Sequence, residues 1–276
     1  AEDSKPLYDT WKYLYKVIVF SNDALTTIDK HKQLLTDEQY KAYRAEVRAI
    51  RALYYYYLMD MFGNIPLVTT AGESTENADQ ASRPEVYRFI VKELQEVTPL
   101  LPTGHSNLLG KNYGRVTRSV ANFLLAKLML NGEVYSDADW TDNQQPNGKQ
   151  TYFTINGQQM NIWQACKYYC DELTADGFTL AADYLSNFSV NNENSPENIF
   201  TIPLDKHLYK SQFQYLFRSR HYSHGGAFGT GSENGACATI STVKTFGYGT
   251  SNVDKRYAYN LYSDTVRVDG NIIYLE

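Results

Sequence analysis

At 276 residues, 43% of them hydrophobic, the chain is long enough for one large domain or two small ones and apolar enough for a real core, which excludes a disordered tail. Its net charge of -5 comes without any run of Lys or Arg interleaved with aromatics, so no nucleic-acid groove is expected. No stretch approaches the roughly 18 consecutive apolar residues of a membrane span, and the opening Ala1-Glu2-Asp3-Ser4-Lys5 is too polar for a signal peptide; any export signal or lipid anchor would lie upstream of this chain.

The segment Leu7 to Lys30 places Leu7, Trp11, Leu14, Ile18, Leu25 and Ile28 at three- and four-residue spacing, predicting an amphipathic helix. Asn22 falls on that stripe as a half-buried amide in need of partners. Thr36 and Asp37 can cap a second long helix reaching about Phe62. Its expected stripe is Tyr40, Tyr43, Val47, Ile50, Tyr54, Tyr57 and Met61, while Ala45, Ala49 and Ala52 on the opposite side admit close approach of another helix. Gly63 then acts as C-cap and Pro66 stops the helix.

Ser82-Arg83-Pro84-Glu85 reads as a capping box ahead of a third helix that buries Val86, Ile90, Leu94 and Val97 and ends at Pro99 and Pro102. Thr117 is expected to cap a fourth, whose run from Val120 to Leu130 is apolar on almost all sides and therefore the most buried. Tyr152 to Ile155 followed by Asn156-Gly157 predicts a hairpin. A fifth helix follows over about Met160 to Ala175, with Ile162, Cys166, Tyr169 and Leu173 inward and Gly177 as its cap. Beyond it lie a turn cluster from Asn191 to Pro196, an expected strand from Ile199 to Leu204, and a Gly/Ser/Ala-rich stretch from Ser223 to Gly249.

The expected fold is thus mainly α, a tetratricopeptide-like scaffold of helical pairs with irregular loops and a few short strands. The first helix pairs with the second and the third with the fourth, without a strict repeat of about 34 residues. Residues 1–204 form the helical scaffold; residues 205–276 form a loop-rich segment, read as the start of a shortened C-terminal part.

Catalytic motifs are missing: there is no Gly-x-Ser-x-Gly, His-Glu-x-x-His, phosphate loop or Cys-His signature. The closely spaced glycines from Gly225 to Gly231 lack the Lys-Ser/Thr and the helix of a nucleotide site. Glu93 with Glu96, and Asp171 with Glu172, could be imagined as the paired acids of a glycoside hydrolase, but both pairs fit solvated helix faces better. His221 and His224 are the best metal-like pair, with no third ligand evident. Cys166 and Cys170 share a helix face without a nearby His, so they read as small buried core residues rather than a zinc site. The charges Arg44, Glu46, Arg48, Arg51 and Asp60 read as intrahelical pairs and contacts to neighbouring elements. The expectation is a protein that is not an enzyme and carries neither cofactor nor metal.

The segment Arg44-Ala45-Glu46 through Arg51-Ala52-Leu53-Tyr54-Tyr55-Tyr56-Tyr57 to Phe62-Gly63-Asn64-Ile65-Pro66-Leu67-Val68 resembles the signature of the SusD/RagB family: a Glu, then Arg-Ala with aromatics, then Phe-Gly-x-x-Pro-Leu. Arg83 to Pro102, Gly114-Arg115-Val116-Thr117 leading into Ala121 to Leu130, and Asn194 to Phe200 resemble further family blocks in the same order. Asn22 fits as well, and Asp254-Lys255-Arg256-Tyr257 is a late echo. The resemblance implies a tetratricopeptide-like, outer-surface lipoprotein of Bacteroidetes-type bacteria that captures oligosaccharide as the lid of a TonB-dependent, SusC-like transporter. Family members are longer, and their later half helps to build the ligand surface.

Such a surface needs aromatic faces for sugar rings and amide, carboxylate or guanidinium groups for hydroxyls. The 24 tyrosines suit it, since each offers a flat apolar face and a hydroxyl. The expected ligand-binding residues are Trp140, the preferred single residue, with Asn143 in its loop; Asn112 and Tyr113; and Tyr222 and Arg220. Two other readings are carried: a helical-repeat adaptor for a protein or peptide, and a glycoside hydrolase, which would release reducing sugar.

Overall fold

Capping chemistry sets several of the helix ends. In the computed structural model, which describes residues 4–73, 78–203, 207, 237–261, 265–268 and 270–274, the first long helix is α1 (Lys5–Lys30). Thr36 and Gln39 exchange hydrogen bonds at the start of α2 (Asp37–Phe62), Thr36 N donating to Gln39 Oε1 (3.0 Å) and Gln39 N to Thr36 Oγ1 (3.1 Å). Ser82 N donates to Glu85 Oε2 (2.7 Å) before α3 (Arg83–Val97), and Asn161 and Gln164 exchange bonds before the last long helix. Between these stand α4 (Arg118–Leu130) and the single turn α5 (Gly132–Tyr135), and the series closes with α6 (Ile162–Ala175). Gly177, at φ +93°, turns the chain after α6: its N–H bonds to Thr174 O and that of Phe178 to Leu173 O, the paired closure that only a left-handed residue permits.

The strands are short. β1 (Ile65–Pro66) pairs with β2 (Gln80–Ala81), and β3 (Tyr152–Ile155) runs antiparallel to β4 (Gln158–Asn161) with Ile155 opposite Gln158. The two-residue turn is Asn156-Gly157, both at positive φ, as the sequence predicts. Mainly helical architecture with few strands is therefore what the chain adopts.

Two compact units form, one of Ala1–Ala181 with Asn191–Ile202, the other of Ala182–Val190 with Pro203–Glu276. In the second, α7 (Ile240–Thr245), α8 (Tyr257–Asn260) and the antiparallel hairpin of β5 (Thr265–Val268) and β6 (Asn271–Tyr274) are described, and Tyr248 stacks on Tyr257 at 5.3 Å. The first unit holds the main core, in which Ile18, Leu58, Ile90, Leu128 and Ile162 are fully buried.

Packing within that unit corrects two sequence expectations. α4 lies chiefly against α6, and α3 chiefly against α2, so the third and fourth helices are not the closest partners. On α2 the buried face is the alanine side, Ala45, Ala49 and Ala52 with Tyr55, Tyr56, Leu58 and Met59, whereas Tyr43, Tyr57 and Met61 of the expected stripe are exposed. Alanine lets α1 and α3 approach α2 closely, and two helices packed this way cover more surface than one large-residue stripe would.

A buried polar network joins α1, α2 and α3. Arg51 donates to Asn22 Oδ1 (2.8 Å), to Thr69 O (3.1 Å) and to Glu93 Oε2 (2.7 Å), while Arg48 bonds Glu93 and Glu96. Asn22 Nδ2 donates to Val68 O (3.1 Å); Tyr55 Oη donates to the same carbonyl (2.6 Å) and accepts from Val68 N (2.9 Å). Tyr15 Oη donates to Pro66 O (2.7 Å). The amide expected at Asn22 thus finds partners on both sides, and the charges of α2 act structurally. Glu93, expected on a solvated face, is buried instead. Burial pushes its pKa up, but the hydrogen bonds from Arg48 and Arg51 outweigh that and hold it below the ordinary carboxylate range.

Further corrections are local. No strand forms over residues 199–203, which find no strand partner among the described residues, and Leu204 lies outside them. Thr117 makes no capping bond with its side chain; the first turn of α4 instead receives the Asp176 carboxylate, which accepts from Ser119 Oγ (2.7 Å) and pairs with Arg118. Cys170 is exposed and Cys166 only half-buried, because the inward position next to Ile162 on α6 is taken by Ala165.

Candidate functional site

The loop between α5 and β3 carries the preferred aromatic. Trp140 is 77% exposed there, an indole with no core around it. Side chains of the loop brace its own backbone: Asp139 N donates to Asp137 Oδ1 (3.0 Å), Thr141 N to Asp139 Oδ1 (3.0 Å), Gln144 N to Asp142 Oδ1 (2.7 Å) and Lys149 N to Asn147 Oδ1 (2.9 Å). Asn143, at φ +57°, turns between them and is exposed. Two bonds anchor the loop to helices: Arg83 to Asp137 O (2.9 Å), and Gly148 N to Glu133 Oε1 (2.7 Å).

Gly148 is buried where the loop meets α6, and a Cβ there would stand 2.6 Å from Ile162 Cδ1 and 2.7 Å from Trp163 Nε1. Gly148→Ala is therefore expected to destabilise the protein by about 1–3 kcal/mol through overpacking, read as a lower urea midpoint with an unchanged slope.

The second expected patch is placed differently. Asn112 is buried, not exposed, because its Nδ2 donates to Thr103 O (2.8 Å) and folds the connector upon itself. Tyr113 beside it is half-buried. Asn107, passed over by sequence reading, donates to Glu193 O (2.8 Å) and Ser195 O (2.9 Å) and fastens the same connector to the turn cluster. Among the described residues, no hydrogen bond, ion pair or ring contact links Asn112 or Tyr113 with Trp140 or Asn143. Arg220 and Tyr222, like His221 and His224, lie outside the described residues.

The paired-acid expectations resolve separately. Glu93 is ion-paired with its carboxyl held low, the reverse of the raised pKa of a glycosidic general acid. Asp171 pairs with Lys167 one helical turn away, in solvent. Among the described residues no group of three or more His, Cys, Asp or Glu could hold a metal ion. Sequence reading also missed a cleft of about 290 Å³ between the end of α3, α4, α6 and the β3–β4 turn, which Glu172 helps to line. Its residues come from four separated segments, so no local motif marks it.

The first 130 residues match a SusD-like family model described as starch-binding and associating with the outer membrane. A SusD-like protein of Formosa agariphila is 24% identical over 227 residues, 81% of this chain and 37% of that protein. The chain thus spans little over a third of that relative's length. Among solved structures, a SusD superfamily protein from Parabacteroides distasonis aligns with a TM-score of 0.62 at 24% identity, covering 81% of this chain and 43% of the other. Surface glycan-binding protein A from Bacteroides thetaiotaomicron, solved in complex with laminarihexaose, aligns at 0.50 and 25% identity, covering 69% and 34%.

Proposed function

The chain belongs to the SusD/RagB family, whose starch-binding model its first 130 residues match, and on that premise we propose that it binds oligosaccharide and passes it uncleaved to a TonB-dependent, SusC-like transporter. The place of action is the extracellular face of the outer membrane, with a lipid anchor upstream of this chain. The observation that carries the binding reading is Trp140, an exposed indole on a loop held rigid by its own carboxylates and tied to two helices. A ring held in this way loses little conformational freedom when a sugar stacks on it. Asn143, exposed in the same loop, supplies an amide for hydroxyls.

Isothermal titration of the full-length protein with maltohexaose and laminarihexaose tests this. Saturable heat with one of them is expected, and Trp140→Ala should weaken it about tenfold, ~1.4 kcal/mol. No heat with any oligosaccharide would remove the reading, and an unchanged affinity in the variant would remove Trp140 from it.

A second reading, an adaptor for a protein or peptide, is favoured by the large side chains that α1 and α2 leave exposed, among them Tyr13, Phe20, Tyr57 and Met61. Both readings allow co-purification with a transporter, so glycan binding is what separates them.

A further inference from the structure

We propose that the cleft between α3, α4, α6 and the β3–β4 turn is a second, independent carbohydrate site that takes one pyranose ring. The proposal extends the oligosaccharide reading to a place that does not involve the Trp140 loop. Size comes first: about 290 Å³ is at the small end of ligand pockets, room for one sugar ring.

The lining supplies the groups a neutral polyol needs. Tyr168 is a half-buried ring whose hydroxyl accepts from Asn156 Nδ2 (2.8 Å), so the ring is fixed before a ligand arrives. Gln95 Nε2 is engaged by Tyr169 Oη (3.2 Å) and Thr154 O (3.3 Å), which orients its carbonyl oxygen as an acceptor. Glu172, half-buried at the same cleft, makes no ion pair among the described residues, leaving a carboxylate that can accept from two neighbouring hydroxyls. Arg118 is already neutralised by Asp176, so the site offers no net positive charge to a phosphate or carboxylate ligand.

Asn122 on α4 is the second line of support. It lines the cleft at 2% exposure, yet among the described residues its Nδ2 has no hydrogen-bond partner. A buried amide left in this state costs free energy. A hydroxyl entering the cleft, reached by a small rotation of the amide, would satisfy it.

The test uses isotope-labelled full-length protein and titrations with glucose, galactose, mannose and N-acetylglucosamine, followed through the side-chain amide signals of Asn122 and Gln95. At least one sugar should shift both signals saturably with Kd near ~1 mM. Asn122→Leu should remove the response while leaving the urea midpoint unchanged or raised, because the unsatisfied amide is gone. Glu172→Gln, at a half-exposed position that spares the fold, should weaken binding about tenfold. Trp140→Ala should leave the monosaccharide response intact, so a failure of the loop platform and a failure of this cleft are told apart. The proposal is overturned if no sugar shifts the amide signals, if Asn122→Leu binds as well as the parent, or if Asn122→Leu lowers the urea midpoint and thereby shows the amide to be a structural group.

Discussion

Glu93→Gln should lower the stability of the helical unit by about 3 kcal/mol, the largest effect expected of any conservative substitution in this chain. Gln keeps the shape and an acceptor, but Arg51, with its side chain 7% exposed, is then left with a buried positive charge and no buried anion. Urea denaturation at pH 7 measures the loss, and Glu96→Gln is the control: that carboxylate touches the same Arg48 from a position 46% exposed, where an ion pair contributes ~1 kcal/mol or less. The pH dependence follows from the sign of the shift. Glu93 titrates lower in the folded protein than in the unfolded chain, so its stabilisation is complete above the ordinary carboxylate pKa and is lost as pH falls through the folded value. The acid limb of the stability curve should therefore be flatter in Glu93→Gln than in the parent. An equal loss in both variants, or an unaltered acid limb, would show that the network does not act as drawn.

Leu128→Ala should cost about 2–5 kcal/mol, since Leu128 is fully buried in the helix that packs on α6 and the space it leaves is walled by rigid elements. Two residues on, Leu130 is 60% exposed, and Leu130→Ala should change stability by ~0.5 kcal/mol or less. Paired urea curves measure both. A similar loss at the two positions would mean that α4 is buried all round, as its composition alone suggests.

That contrast indicates what a sequence can convey. Helix existence was legible because caps are local: Thr36 with Gln39 and Ser82 with Glu85 stand three residues apart, and Gly177 closes its helix from two residues beyond the last helical residue. The direction a helix faces is not local. The alanines of α2 admit a neighbour on their side, as the structure has it, but ranking by side-chain size also selects Tyr43, Tyr57 and Met61, and nothing within α2 says that these stay exposed. Glu93 was misplaced for a related reason, since the arginines that bury it lie 42 and 45 positions earlier. The exposure of Trp140, on which the proposed site rests, was legible because a polar loop offers an indole nothing to pack against. Asn112 could not be read correctly, because an amide in a Gly-rich connector serves a ligand or its own backbone equally well until Thr103 is seen to accept its hydrogen bond. The cleft stayed hidden altogether, its polar groups being spread from Gln95 to Glu172.

The stretch from Pro66, where β1 ends, to Thr69 illustrates how a segment with little helix or sheet can still be among the last parts of a protein to open. Side chains of α1 and α2 hold the carbonyls of Pro66, Val68 and Thr69, and a core tyrosine takes the Val68 amide as well. Fraying of this piece by itself would strand those tyrosine, asparagine and arginine groups in the interior, so it can exchange with solvent only when α1 parts from α2. The heading of the chain as it leaves the helical pair is thereby set by the scaffold, independently of whatever the residues after it go on to bind.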